Sequence, residues 1–456
     1  MRTAILCTVA VFAGILLFSR CLDSGARDPR GKAYADPASC TSCHASIVNA
    51  YGHTPHFHSA ALASFNTIQG SFSRDSNTFV VNDSVRVVME DRGGTPYQVL
   101  YVRNKEVRVQ RFDIVFGYEK GQGYLYWKDD QLYQLPISYF TDLHRWTTSP
   151  GYPAGMPFFD RPVLLRCFEC HTTYISPSSR RSGSPSDPKN VNALDANSLI
   201  VNIDCQRCHG PAANHVAFHT ENPGEKIGRY ISSYKNLTRR QKIDLCAVCH
   251  AGSNNIQLRS LFAFRPGDSL SQFAVSAHVG SNQPDVHGDQ LALLASSKCF
   301  RGSEMDCSTC HDTHVNDHGD WAAYARRCQT CHSETNHNFC KIADASNIGF
   351  LKLNCSRCHM PSQPSEVIRV RTGETGAHTP IFMINHRIAI YPEESRRILD
   401  SLNSQMRRTG LIRGFKRIAT PHSQPSSVNA ASATRIKNIK IPAAETAIGS
   451  LPGWHR

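Results

Sequence analysis

The stretch CSTCHDTHVNDHG, Cys307–Gly319, places two cysteines and three histidines within thirteen residues. Its first five residues match C-x-x-C-H, the pattern by which c-type haem is attached. The two thiols of the pattern add to the vinyl groups of one haem, and the adjacent histidine becomes the proximal ligand of the iron. His314 and His318 follow within a few residues, and their role depends on the rest of the chain.

The same pattern occurs seven times and uses fourteen of the eighteen cysteines. A zinc half-site explains a C-x-x-C pair, but it does not explain a histidine after every second cysteine. The sequence therefore predicts seven covalently attached haem c groups. The predicted attachment residues are Cys40, Cys43, Cys167, Cys170, Cys205, Cys208, Cys246, Cys249, Cys307, Cys310, Cys328, Cys331, Cys355 and Cys358, and the predicted proximal ligands are His44, His171, His209, His250, His311, His332 and His359.

The N-terminus has the features of an export signal over residues 1–21. Arg2 precedes the apolar run AILCTVAVFAGILLF, which has signal-peptide length and is short for a membrane span. A lipoprotein signal would place a small residue before Cys21, where this chain has Arg20. Lipidation of Cys21 and plain cleavage nearby both remain open. We expect an exported protein of the periplasm or cell envelope, with membrane contact only through this candidate lipid anchor.

The formal charge of +13 does not indicate a nucleic-acid-binding protein. Two propionates on each of seven haems would add roughly fourteen negative groups, which nearly cancel the excess. Residues 396–456 hold eleven Lys or Arg against Asp400 and Glu445, so +9 of the charge lies in the tail. We expect donor and acceptor redox proteins as partners and no nucleic acid.

The motif spacing predicts the organisation of the chain. Residues 36–160 carry one motif and a run of alternating segments, and we expect a small antiparallel β insertion near residues 75–138. Residues 161–392 carry six motifs. The motifs follow one another so closely that the chain between them is too short to form independent protein cores. We therefore expect a mainly α fold with extensive loops, packed around a haem stack. Residues 393–456 predict a basic, loosely ordered tail.

Fifteen histidines lie outside the motifs, enough to supply a second axial ligand to every iron. An iron with two histidines is closed and transfers electrons, whereas a five-coordinate iron can bind a small molecule. Many of these histidines cluster just after a motif, as His314 does after His311. A ligand so placed cannot easily fold back over its own haem, so we expect it to reach the iron of a neighbour.

Several of these histidines lie in recognisable sequence contexts, namely HTPHFH, LHRW, CHGPAANH, VHGDQ, CSTCHDTH and NHRIAIYP. Over roughly residues 36–392 the chain resembles the multihaem cytochromes c related to the tetrahaem cytochrome of ammonia oxidisers and the haem domains of multihaem tetratricopeptide proteins. Pentahaem nitrite reductase and hydroxylamine oxidoreductase are wider relatives. The resemblance implies the distal ligands His56, His144, His215, His287, His314, His337 and His386, with His58, His219, His278, His318 and His378 as alternatives.

Two departures from those families bear on function. No tetratricopeptide-like repeats follow the haem region, and all seven motifs end in histidine, where the nitrite reductases have C-x-x-C-K at the catalytic haem. No tyrosine matches the cross-linked one of hydroxylamine oxidoreductase. The sequence thus favours an electron-transfer protein and predicts no catalytic residue. The alternative is an oxidoreductase acting on a small nitrogen or sulfur compound at one open haem.

Cys299 and Cys340 lie outside the motifs and beyond the signal segment. In an oxidising compartment such a pair usually forms a disulfide, so we expect a bridge. It would close a loop of about 40 residues and contribute roughly 4 kcal/mol. The alternative is two separate core thiols.

Overall fold

The computed structural model describes residues 28–408 except 154, 179–192, 253–254, 277–283, 346 and 374–376. The chain divides into two units, residues 1–399 and 400–456. The predicted signal segment, Cys21, His278 and most of the predicted tail lie outside the described residues. Within the described ranges, no helix has both the length and the apolar character needed to span a membrane.

Strands occupy much more of the chain than the sequence analysis predicts. About 29% of the structure is helical and about 25% is strand, in several antiparallel sheets, so the prediction of a mainly α fold is wrong. In the first half of the chain, strands run from Ala60 to Pro162, beyond the small insertion expected near residues 75–138. The strands that lie outside residues 75–138 in this half, Ala60–Leu62, Arg145–Thr148 and Arg161–Pro162, are only two to four residues long and pair with neighbouring strands. They are too short to show a periodicity that could be recognised in the sequence alone.

The first eleven strands define the β region, residues 60–162, which contains two antiparallel sheets. One sheet has the order β2-β3-β4-β5, and the other has the order β1-β6-β7-β8-β11, with β9 paired to β7 and β10 paired to β9. The strands are β1 (Ala60–Leu62), β2 (Thr78–Asn82), β3 (Val85–Asp91), β4 (Pro96–Val102), β5 (Lys105–Arg111), β6 (Ile114–Phe116), β7 (Gly121–Lys128), β8 (Gln131–Gln134), β9 (Ile137–Phe140), β10 (Arg145–Thr148) and β11 (Arg161–Pro162).

Local sequence explains the four-stranded sheet. Val85, Val87 and Met89 of β3 are buried in alternation with more exposed residues, as expected for a strand with one face on a core. Arg103 and Asn104 join β4 to β5 with φ values of 48° and 65°. Positive φ at both central residues is the backbone of a type I′ hairpin, whose twist matches that of paired strands.

A cluster of fourteen buried residues fills the β region, with Trp146 of β10 among them. The indole Nε1 of Trp146 donates to the carbonyl of Ser71 at 3.0 Å. A Cβ atom at Gly70 would lie 2.1 Å from Cζ2 of this indole, so the close approach requires glycine. Buried Gln98 on β4 donates to the carbonyl of Ile137 on β9 at 2.7 Å, which links the two sheets.

The helices are short, and most lie at or near a C-x-x-C-H motif. Four of them, α2, α3, α5 and α10, end on a motif histidine. The helices are α1 (Ala38–Tyr51), α2 (Leu165–His171), α3 (Cys205–His209), α4 (Ala213–Glu221), α5 (Arg239–His250), α6 (Gln290–Ala295), α7 (Lys298–Arg301), α8 (Trp321–Gln329), α9 (Ile348–Leu351), α10 (Cys355–His359) and α11 (Pro392–Arg408).

Three antiparallel strand pairs accompany these helices. They are β12 (Tyr174–Pro177) with β13 (Leu194–Ile200), β14 (Asn255–Gln257) with β15 (Ala274–Ser276), and β16 (Ser362–Arg371) with β17 (His378–Ile384). Phe168, inside the second motif, is fully buried in a cluster with Ile114 and Leu125 of the β region. The second motif is therefore anchored on the sheet by an apolar side chain.

Candidate haem-binding sites

Polar residues begin the turns that carry the cysteines of the third and fifth motifs. The Asp204 carboxylate accepts from the backbone N–H of Arg207 at 2.8 Å and so caps α3. Asp306 accepts from the backbone N–H of Ser308 at 2.9 Å at the start of the fifth motif. A side-chain acceptor before the first cysteine satisfies N–H groups that the short helix leaves unpaired. The motif is thereby presented in one fixed conformation. We number the sites 1 to 7 in the chain order of their motifs.

Four motif histidines face a second histidine at nearly the same separation. An imidazole nitrogen binds a metal at about 2 Å, so one iron between two rings would place the ring centroids roughly 6 Å apart. The ring centroids lie 6.5 Å apart for His44 and His215, 6.0 Å for His209 and His314, 6.1 Å for His250 and His56, and 6.2 Å for His311 and His386. Each pair joins residues that the sequence assigns as a proximal and a distal ligand.

His171 of site 2 has a histidine neighbour as well. Desolvation by the surrounding chain, with repulsion from His287, lowers the pKa of His171. The Phe116 ring stacks on His171 with centroids 4.9 Å apart, which fixes one face of the imidazole. His287 is therefore within electrostatic range of His171, and its assignment as the distal ligand of site 2 stays a prediction.

The hydrogen bonds of the imidazoles leave Nε2 available for a metal. Nδ1 of His209 lies 3.0 Å from the carbonyl of Ser232, and Nδ1 of His359 lies 2.9 Å from that of Ala389. His215 makes the same kind of contact, 2.8 Å to the carbonyl of Arg229. A carbonyl can only accept, so Nδ1 carries the proton and Nε2 the lone pair, as in metal-binding histidines.

Desolvation also keeps the imidazoles of His250 and His386 neutral. The His250 ring is accessible to solvent, yet the surrounding chain and repulsion from His56 and His386 lower its pKa to about 4. Burial and repulsion from His311 lower the pKa of His386 to about 4. Neutral imidazole is the form that binds a metal. Paired neutral imidazoles beside cysteine pairs fit covalently attached haem with two axial histidines.

The alternative histidines have other partners. His58 stacks on Tyr118 with centroids 4.4 Å apart, and Nε2 of His219 accepts from the backbone N–H of Arg229 at 3.3 Å. Nδ1 of His318 lies 3.2 Å from the Glu119 carboxylate, and Nε2 of His378 lies 2.9 Å from an Arg371 guanidinium nitrogen. Of the described candidates, His56, His215, His314 and His386 are those whose rings face a motif histidine.

His144 and His337 are not brought to a motif histidine. Both are exposed and have positive φ, 49° at His144 and 54° at His337. Within the described ranges, neither has a ring contact with His332 of site 6 or His359 of site 7. Their assignment as distal ligands stays a prediction.

Cysteines of different motifs lie in side-chain contact. In each of four pairs, one thiol donates a hydrogen bond to the sulfur of another motif, and this bond together with burial raises the pKa of the donating cysteine. The pairs are Cys205 with Cys40, Cys170 with Cys249, Cys246 with Cys307 and Cys328 with Cys355. The attachment points of sites 1 and 3, 2 and 4, 4 and 5, and 6 and 7 therefore lie side by side.

The residues between the motif cysteines also form contacts, which sequence reasoning missed. Glu169 of CFECH is fully buried. Its carboxylate accepts from Gln257 Nε2 at 2.6 Å, from Ser260 Oγ at 2.5 Å and from the backbone N–H of Leu261 at 2.9 Å. Arg207 of CQRCH donates to the carbonyl of Glu169 at 2.9 Å and joins motifs 2 and 3. The two positions between the motif cysteines accept any side chain. The charged residues found there, Glu169 and Arg207, were the sequence signal for these contacts.

The expected bridge between Cys299 and Cys340 is not formed, and both are free thiols. Cys299 interacts electrostatically with Cys310 and Cys328, whereas Cys340 interacts with Cys358. Each thiol thus lies beside motif cysteines, which agrees with the alternative of two separate thiols.

No family model and no curated protein matches this chain. Two solved structures are similar to it. The outer cell wall cytochrome OcwA has 14% identity and a TM-score of 0.45, over 80% of this chain and 82% of that chain. The undecahaem cytochrome from the S-layer of Carboxydothermus ferrireducens has 17% identity and a TM-score of 0.34, over 72% of this chain. The match spans about half of that cytochrome, 51% of its length.

Proposed function

We propose that this protein is an exported heptahaem cytochrome c that carries electrons along a chain of mostly bis-histidine haems. The observation that carries the proposal is the set of four histidine pairs with ring centroids 6.0–6.5 Å apart, each including a C-x-x-C-H histidine. Histidine on both faces closes the iron to substrates and leaves electron transfer as its function.

Haem bound at these sites would supply one-electron oxidation and reduction. At each site, two cysteines of the chain would form the thioether bonds to haem, and the motif histidine would be the proximal ligand. The distal ligands would be His215 at site 1, His287 at site 2, His314 at site 3, His56 at site 4 and His386 at site 5. Carbonyl groups that accept from Nδ1 orient several of these rings.

The cysteine contacts supply an order for the sites. Site 1 adjoins site 3, site 4 adjoins site 5, and site 6 adjoins site 7 through paired thiols. Electrostatic interactions of Cys208 with Cys249 and of Cys328 with Cys310 join sites 3 and 4 and sites 5 and 6. The proposed path therefore runs 1-3-4-5-6-7. Site 2 branches from site 4 through Cys170 and Cys249.

The first experiment counts haems and measures their spin state in the protein purified from a host that attaches c-type haem. Intact mass should show seven haems, and electron paramagnetic resonance of the oxidised protein should show mainly low-spin ferric signals. Fewer haems would contradict the count. Several high-spin signals would contradict the electron-carrier proposal and favour an oxidoreductase with open haems.

A matched pair of variants tests one ligand assignment. His56→Ala removes the histidine that faces His250, so one low-spin signal should become high-spin. His58→Ala removes a histidine that stacks on Tyr118 and should leave the spectrum unchanged. A spin change in the His58 variant but not in the His56 variant would contradict the assignment.

The export and partner proposals follow from the sequence. Attachment of c-type haem and the N-terminal signal support a periplasmic or cell-envelope location, with donor and acceptor proteins as partners. Cell fractionation of the natural chain and of Cys21→Ser tests the anchor. Lipidation is supported if the natural chain is found in the membrane fraction and the Cys21→Ser variant is not. It is contradicted if both chains distribute between the fractions in the same way.

A further inference from the structure

Site 5 differs from sites 3 and 7 in the group that faces Nδ1 of the motif histidine. At sites 3 and 7, Nδ1 of His209 and of His359 contacts a backbone carbonyl at 3.0 and 2.9 Å. At site 5, Nδ1 of His311 lies 3.5 Å from the hydroxyl oxygen of Tyr324. A backbone carbonyl oxygen is an acceptor of roughly constant strength. The acceptor strength of a phenol oxygen instead depends on the group to which the phenol hydroxyl donates.

That group is a carboxylate. The Tyr324 hydroxyl donates to Asp317 Oδ1 at 2.8 Å, and Arg327 Nη1 donates to Asp317 Oδ2 at 2.6 Å. The Asp317 and Arg327 side chains are 16% and 27% exposed. Burial opposes ionisation, but the hydrogen bonds from Arg327 and Tyr324 prevail and lower the pKa of Asp317. Arg327 also donates to the carbonyl of Cys310, inside the fifth motif.

Local structure holds the Tyr324 ring in place. Helix α8 begins after Asp320, whose carboxylate accepts from the backbone N–H of Ala323 at 2.9 Å. The ring meets the His311 ring edge-on with centroids 5.5 Å apart. The Arg327 guanidinium carbon lies 5.3 Å from the centroid of the same ring. The hydroxyl is therefore directed between His311 and Asp317 by contacts on several sides.

We infer that Tyr324, through its hydrogen bond to Asp317, is a positioning residue that lowers the reduction potential of the haem at site 5, an inference that rests on the proposed function. An Nδ1–H group that donates toward an oxygen polarised by a carboxylate gives the imidazole more electron density at Nε2. A more basic axial ligand favours the oxidised iron, and second-sphere hydrogen bonds are among the features that set haem potentials.

The experiment compares Tyr324→Phe with the unaltered haem-loaded protein in a redox titration followed by electron paramagnetic resonance. Phenylalanine keeps the ring and removes the acceptor, so one low-spin signal should titrate at a higher potential. An effect on the order of tenfold in the ferric–ferrous equilibrium corresponds to about 59 mV for one electron. Asp317→Asn keeps the hydroxyl but removes the charge, and it should shift the same signal in the same direction by less.

Tyr51→Phe is the matched control. The Tyr51 ring also lies near a site histidine, 6.5 Å from His314, but its hydroxyl donates to the carbonyl of Ile203 at 2.6 Å. It should shift no signal comparably. The inference is overturned if Tyr324→Phe shifts no potential, or no more than the control. If the Tyr324→Phe variant does not retain its haems, the Asp317→Asn variant decides instead. Unchanged reduction potentials in Asp317→Asn would then overturn the inference. Haem count and spin state of the unaltered protein test the proposed function separately.

Discussion

The β region and the motif region, residues 163–392, are stabilised in different ways. The β region has a cluster of fourteen buried residues, with Tyr124, Tyr126 and Trp146 among its largest members. In the motif region, helix α4 buries none of its residues, and the only buried side chain of α3 is Gln206. One region carries its own apolar core. The other, under the proposed function, would bury its apolar surface against haem.

Polar contacts hold the described part of the motif region together and join it to the segment that precedes the first motif. Arg239 of α5 donates to the carbonyls of Met305 and Phe300 at 2.8 and 2.9 Å. Gln206, within the third motif, accepts from the backbone N–H of Ala35 and donates to its carbonyl, both at 2.9 Å. Such bonds fix direction and register, but each contributes only about 1 kcal/mol. This contrast predicts that the two regions respond differently to the same change.

The largest expected effect comes from withholding haem. Chain produced without haem attachment should remain folded in the β region and lose its structure in the motif region, because the cluster of fourteen buried residues lies in the β region. Limited proteolysis followed by mass spectrometry should yield a protected fragment close to residues 60–162 and rapid cleavage among the motifs. Haem-loaded protein is the control and should resist cleavage in both regions. Equal resistance without haem would remove the distinction between the regions.

The next effect is expected from Trp146→Ala. Loss of this indole from a packed cluster should lower the free energy of unfolding of the β region by about 3–5 kcal/mol. Denaturation followed by tyrosine and tryptophan fluorescence measures it, while haem absorbance reports on the motif region. Val107→Ala on β5 is the control, because Val107 is 59% exposed, and it should change stability by less than about 0.5 kcal/mol. Equal losses in both variants would show that the cluster does not stabilise the region.

A smaller effect is expected from Glu169→Gln in the motif region. The amide keeps the shape of the side chain but replaces one acceptor oxygen by an NH2 group. That donor would face groups that donate to the carboxylate in the unaltered protein, which should lower the free energy of unfolding by about 1–3 kcal/mol. The loss should appear as earlier unfolding of the haem absorbance bands in denaturant. Glu221→Gln, at an exposed position on α4, should be neutral. A neutral result at Glu169 would mean that its three hydrogen bonds contribute little.

The candidate sites were predictable from the sequence to different extents. C-x-x-C-H identifies its own attachment residues, because one haem is bound by residues within five positions of each other. The strands near residues 75–138 were expected from alternation, but the full sheets were not, because strands as short as β1 and β11 exist only through their pairing. The prediction of a disulfide between Cys299 and Cys340 was also wrong. An even number of cysteines does not indicate how far apart two of them lie in the folded chain.

The sequence by itself determined which residues are predicted to bind haem proximally and which histidines are candidates for the distal face. Only the tertiary structure decided that His56 faces His250 and that His386 faces His311. Likewise, only the tertiary structure decided that Tyr324 lies beside His311 and that Cys40 lies beside Cys205. The physical reason is that attachment chemistry acts over a few neighbouring residues. Axial pairing instead requires two rings about 6 Å apart, and only the folded chain brings distant segments to that separation.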